Sequence, residues 1–173
     1  MGDSMSTLQV DTIQKTNGSA PTLADLSISH AGSVLQTVTD TQGSDATNST
    51  SNWTDTGLSA SITPTSSSSK VLVIVTQPTI VTRTVSDNWL GGLKLLRGST
   101  VIGCGDNYTL GQSHSSHDFA GSNGATYWWW TSHELDSPST TSSTTYKTQS
   151  RADGDGSVAT VSESRITLME IAG

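Results

Sequence analysis

The sequence predicts an all-β fold, an antiparallel β-sandwich over residues 31–173 preceded by an extended segment over residues 1–30. Three observations point there. Ser and Thr make up about a third of the chain, and Thr favours extended backbone while Ser competes with helical hydrogen bonds. Apolar and polar residues alternate with period two in several windows, the signature of a half-buried strand. Turn signals then recur at short spacing, as in sandwiches and barrels.

Taken in order, residues 6–14 read as a short strand with Leu8 and Val10 on one face, Asn17-Gly18 as a turn, and Pro21 as the start of a second extended stretch. This opening segment has too few apolar residues for a core of its own, so it is expected to pack on a neighbour or to stay flexible. Residues 33–39 form the next strand, followed by a polar loop over 40–52. Thr54, Thr56, Leu58, Ala60 and Ile62 alternate with polar neighbours, and Pro64 with Ser66 to Ser69 makes a turn. Residues 70–76 are a run dominated by β-branched residues, the pattern of a central strand buried on both faces. Residues 93–96 and Val101-Ile102 flank Gly98-Ser99, a type II′ hairpin turn with glycine supplying the positive φ.

Beyond the hairpin, residues 103–125 are rich in Gly, Ser and His and read as a long surface loop. Residues 126–134 resume as a strand. Residues 144–150 and 158–161 form a further pair around Gly154-Asp155-Gly156, and residues 165–171 close the domain. About eight strands are expected in all.

Composition excludes several classes of function. A formal charge of −7, with eight Lys and Arg scattered singly, is wrong for nucleic acid, which needs clustered cations. The longest apolar run, residues 71–75, is far short of the roughly 20 residues that cross a membrane, so no membrane insertion is expected. The first residues lack the basic-then-apolar pattern of a secretory leader, and a lone cysteine, Cys104, fits synthesis in a reducing cytoplasm.

Candidate chemistry is weak throughout. His114-Ser115-Ser116-His117-Asp118 has potential ligands but no recognised zinc spacing, so these residues read as solvated loop. Asp153-Gly154-Asp155-Gly156-Ser157 mimics the start of a calcium loop, but Ser164 stands where a bidentate glutamate is needed, and a tight turn is the better reading. No Gly-x-Ser-x-Gly elbow occurs, the Gly-rich stretches lack the lysine of a phosphate loop, and nothing selects a pair among Asp106, Asp118, Glu134 and Asp136. No enzyme, cofactor or metal is expected.

The feature that stands out is Tyr127-Trp128-Trp129-Trp130. Successive strand residues alternate faces, so Tyr127 and Trp129 point one way, Trp128 and Trp130 the other, and one pair must leave the core. That pair packs under a loop or against a neighbouring subunit, or else forms a platform that stacks on a sugar ring, with Trp89, Tyr108 and His133 joining from nearby.

Several stretches resemble a known group. Ser6-Thr7-Leu8-Gln9-Val10-Asp11-Thr12-Ile13-Gln14 with Asn17-Gly18-Ser19-Ala20-Pro21-Thr22-Leu23 is similar to the N-terminus of tail-fibre-like virion proteins of marine phages and cyanophages. Thr54-Asp55-Thr56-Gly57-Leu58-Ser59-Ala60-Ser61-Ile62-Thr63-Pro64, Leu95-Leu96-Arg97-Gly98-Ser99, Leu135-Asp136-Ser137-Pro138 and Ile166-Thr167-Leu168-Met169-Glu170-Ile171 resemble them too. The resemblance implies a non-catalytic structural protein of the bacteriophage virion, synthesised in the host cytoplasm. It implies a homotrimer whose residues 1–30 attach to other virion proteins and whose knob is a jelly roll similar to the C1q/TNF fold. Host attachment through a surface glycan follows as a further expectation, and a lectin-like module is the alternative. Tail fibre, head fibre and capsid decoration all remain open.

Overall fold

The computed structural model describes residues 31–83, 91–102, 124–152 and 156–173, apart from the side chains of residues 83, 126 and 128. The segment over 1–30, residues 103–123 of the loop expected over 103–125, and residues 153–155 lie outside the described residues, while Gly124 and Ala125 belong to a strand. Among those described, every helix or strand assigned is a strand, and the strands form two antiparallel sheets.

The larger sheet holds β1 (Val34–Thr41), β2 (Ala46–Asn48), β4 (Lys70–Arg83), β7 (Gly124–Asp136), β9 (Gly156–Thr160) and β10 (Arg165–Ile171). The smaller is ordered β3 (Thr54–Ile62), β8 (Thr144–Ala152), β5 (Gly91–Arg97) and β6 (Thr100–Val101). Their inner faces pack as a sandwich. A core cluster joins Leu58, Ile62, Leu95 and Tyr146 of the smaller sheet to Val71, Val73, Val75, Ile166 and Leu168 of the larger. Each such buried side chain contributes about 1.5–3 kcal/mol of transfer free energy.

Strand β4 is the spine of the larger sheet. One edge pairs with β7 along 13 residues; the other pairs first with β10 (Thr76 to Lys70) and then with β9 (Thr79 to Arg83). Pro78 sits in the gap between those two partners. In an antiparallel ladder a residue's N–H and C=O point to the same side, and the Pro78 carbonyl accepts from the Val161 N–H at 3.3 Å. The donor that proline lacks would therefore point where the partner changes, so no ladder bond is lost.

The sequence pattern of β3 is realised from Thr56 onward, with Thr56, Leu58, Ala60 and Ile62 buried and Thr54 exposed. The pairing of β3 with β8 shifts register between Asp55 and Ser59, where Gly57 adopts φ +88°, a conformation that a side chain resists. The Gly98-Ser99 hairpin is also realised. Gly98 has φ +58°, Ser99 is not in the positive-φ region, and Arg97 pairs with Thr100, as a type II′ turn requires.

Three expectations need correction. The loop over 40–52 contains β2, which is too short to carry a periodicity signal and is held by pairing with β9. Strands β8 and β9 do not pair with each other; they lie in opposite sheets. The run from residue 70 is not buried on both faces. Val71, Val73 and Val75 are fully buried, whereas Leu72 and Ile74 on the outer face are half-buried.

The core is not uniformly apolar. Between the main cluster and a small one of Val81, Ala152 and Val158 runs a polar seam. The Gln77 amide donates to Gln42 Oε1 (3.0 Å) and Thr56 Oγ1 (3.2 Å), and the Thr56 and Thr148 hydroxyls share a 2.6 Å bond. Gln42 donates in turn to the Thr160 carbonyl and hydroxyl. Gln77 Oε1 is buried without a partner, a cost of about 1–3 kcal/mol set against the seam's other bonds.

Candidate functional site

Strand alternation along β7 separates the aromatic cluster. Trp130 is buried and belongs to the main core. Tyr127 and Trp129 stand on the opposite face, 75% and 70% exposed. The choice the sequence left open is therefore made: Trp130 is packing, and Tyr127 with Trp129 is surface. Thr131, His133 and Leu135 continue the exposed row. Adjacent members of that row are about 6.6–6.8 Å apart along the strand. The Trp128 side chain, Trp89 and Tyr108 lie outside the described residues, as do His114 and His117.

The register of the sheet extends this row sideways. Trp129 is opposite Pro78, Tyr127 opposite Ile80, His133 opposite Ile74 and Leu135 opposite Leu72. Beyond them Leu72 faces Met169 of β10, and Ile171 faces Val34 of β1, which is 56% exposed. The outer face of the larger sheet thus carries these apolar residues, half-buried or exposed, interspersed with Thr39, Thr76, Thr131 and Thr167. The sequence reading missed its breadth, although the run rich in β-branched residues from residue 70 was its signal.

The outer face of the smaller sheet is built differently. Asp55 accepts from Lys147 Nζ at 2.8 Å and Gln149 Nε2 at 2.7 Å, and Lys94 Nζ sits 4.4 Å from the centre of the Trp53 ring. Partial burial pushes the Asp55 carboxyl up, but the bonds from Lys147 and Gln149 prevail and hold it below its ordinary range. This is a solvated face of paired charges.

The remaining well-placed carboxylates are engaged in holding the fold. Asp136 Oδ1 and Oδ2 each accept from Arg97 Nη1 at 2.8 Å, and Oδ2 also accepts from the Tyr146 hydroxyl at 2.7 Å. Burial first, and then the neighbouring Asp136 carboxylate, push the Tyr146 phenol well above its ordinary value. Two of the motifs singled out in the sequence, Leu95 to Ser99 and Leu135 to Pro138, meet at this contact. Glu170, fully buried, accepts through Oε1 from the Thr65 N–H and hydroxyl, both at 2.7 Å, and through Oε2 from Gln36 Nε2 at 2.6 Å. Burial alone would raise the Glu170 carboxyl, yet these donors hold it below its ordinary value.

Set against protein-family models and curated proteins, the chain matches none.

Proposed function

We propose that the chain is a non-catalytic structural subunit of a bacteriophage virion, a fibre or head-appendage knob with a jelly-roll sandwich like the C1q/TNF fold. In this reading the protein works as a homotrimer, and residues 1–30 attach it to other virion proteins. The observation that carries the proposal is the division of labour among its side chains. Asp136, Glu170 and Asp55 are tied into fold-holding contacts, while the broad outer face of the larger sheet offers contact area rather than reactive groups. The resemblance of the opening and closing motifs to virion fibre proteins supplies the setting.

The experiment is to purify particles from a lysate of the host and search them for this chain by mass spectrometry, with antibody labelling in electron micrographs. The chain should co-purify at a fixed copy number and label an appendage. Its absence from washed particles would defeat the proposal.

Exposure of Tyr127 and Trp129 two residues apart favours one second reading, a lectin-like module in which the rings stack on a sugar. A glycan array separates the two, since saturable binding abolished by Trp129→Ala is expected only of the lectin.

A further inference from the structure

Strand β4 changes partner at Pro78, and discontinuities in the rest of the sandwich fall at the same level. On the edge of β4 away from β7, Thr76 is the last residue paired with β10 and Thr79 the first paired with β9. Here the polar seam crosses the interior from Gln77 to Thr56 and Thr148. In the smaller sheet the β3–β8 register shifts beside Thr56, between Asp55 and Ser59. We infer that β2 and β9 form a flap, which opens as one unit along this line while the other strands stay folded.

Packing decides which side of the line is weak. Strand β10 turns Ile166, Leu168 and Glu170 inward, all fully buried, and the two apolar ones belong to the main core. The buried side chains of β2 and β9 are Asn48, Val158 and Thr160. Only Val158 is apolar, and among the described residues its core cluster holds just Val81 and Ala152 besides. Burial stabilises in proportion to the apolar area taken from water, so a single valine anchors the flap.

The other ties are polar. Asn48 Nδ2 donates to the Ser150 carbonyl at 2.7 Å, and Gln42 Nε2 donates to the Thr160 carbonyl and hydroxyl at 3.1 and 3.0 Å. The Thr82 and Ser157 hydroxyls share a further bond between β4 and β9. Water replaces such bonds on opening, so each resists far less than its strength in isolation. What the flap covers is polar too. Gln77, Thr79, Thr148 and Ser150 are buried on the facing inner surfaces. Gln77 Oε1, buried without a partner, gains one from water when the seam opens.

The frame supplies a hinge and a fixed jamb. Residues 42–45 lead from β1 into the flap, and residues 161–164 lead from it to β10. The two connections meet where the Gln42 N–H donates to the Ser164 carbonyl at 3.0 Å, and the Ser164 N–H closes a turn on the Val161 carbonyl at 3.0 Å. Both therefore bend at one place, as a hinge of a few residues requires. The far half of β4 does not follow, because β7 holds it as far as the Arg83–Gly124 pair. One end of the larger sheet can thus be remodelled without unfolding the domain.

The test is amide hydrogen exchange of the full chain by NMR, under conditions where rates report opening equilibria, at one protein concentration. Wild type is compared with Val158→Ala and Leu168→Ala. Fraying of an edge frees only β2, whereas a flap also frees the β9 amides that bond to β4. Those amides should exchange at least about tenfold faster than the slowest amides of β10. Val158→Ala should speed them roughly tenfold more. Leu168→Ala weakens the main core equally whether the flap is closed or open. It should speed the β10 amides by about thirtyfold or more and leave the β9 amides unchanged. Ile166→Val gives the same comparison, with a smaller factor, if Leu168→Ala does not fold. Equal protection of β9 and β10 in wild type overturns the inference. So does a core substitution that speeds both strands by one factor, or a Val158→Ala that leaves β9 unmoved.

Discussion

Replacing Glu170 by Gln keeps the shape of a buried side chain and removes its charge. In the native protein its two oxygens accept three hydrogen bonds, from the Thr65 N–H, the Thr65 hydroxyl and Gln36 Nε2. An amide has only one acceptor oxygen. If the new NH₂ faces Gln36, two donors oppose each other, and Gln36 cannot simply turn round because the same nitrogen also donates to the Thr63 carbonyl at 2.7 Å. If the NH₂ faces Thr65, the backbone N–H is left unpaired. Either orientation loses at least one charge-assisted bond and weakens the rest, for a predicted loss of about 2–3 kcal/mol at pH 7. For a domain of this size that is roughly 6–12 °C in melting temperature.

The pH dependence gives a second readout. Because Glu170 is held below its ordinary value when folded, its contribution is complete above the unfolded carboxyl pKa of about 4.3 and is lost as pH falls through the lower folded value. Urea unfolding of wild type and Glu170→Gln, at one fixed protein concentration, should therefore show a gap at pH 7 that narrows towards pH 3. A gap under about 0.5 kcal/mol at pH 7, or one unchanged at pH 3, would refute the reasoning.

Other substitutions follow from the same description. Leu168→Ala empties a fully buried site in the main core and should cost about 2–5 kcal/mol in urea unfolding. Tyr146→Phe removes the hydroxyl that donates to Asp136 and should cost about 1 kcal/mol, with the Arg97 contact surviving. Gly98→Ala meets no atom within 4 Å, so its cost of about 1–2 kcal/mol is purely that of positive φ, and Gly98→Asn should be milder. Asp55→Asn breaks an exposed pair and should cost less than about 1 kcal/mol, with the difference vanishing in high salt.

Where one strand reports its own environment, the residues are easy to read. The alternation through Thr56, Leu58, Ala60 and Ile62 and the Gly98-Ser99 turn depend on local geometry, and both appear as expected. Pairing of non-adjacent strands is not local. Nothing in residues 144–160 states that the chain changes sheets between β8 and β9, and three-residue β2 exists only because β9 is there to hold it. The aromatic run told that two rings must leave the core, while only the burial of Trp130 in the main core cluster decides which. Glu170 was read as one letter of a closing strand; its burial depends on Gln36 and Thr65, more than 100 residues away in sequence.

The pairing of Val34 with Ile171 brings the entry and the exit of the sandwich to one corner. A mechanical load applied between those two points would act on β1 and β10 as on a zip, opening one residue pair at a time instead of shearing all of them together. The Glu170 carboxylate stands at the first teeth, binding Gln36 of β1 and Thr65 of the neighbouring turn. Force spectroscopy with handles at that corner should accordingly find the early resistance weakened by acid, as the rivet that closes the seam takes up its proton.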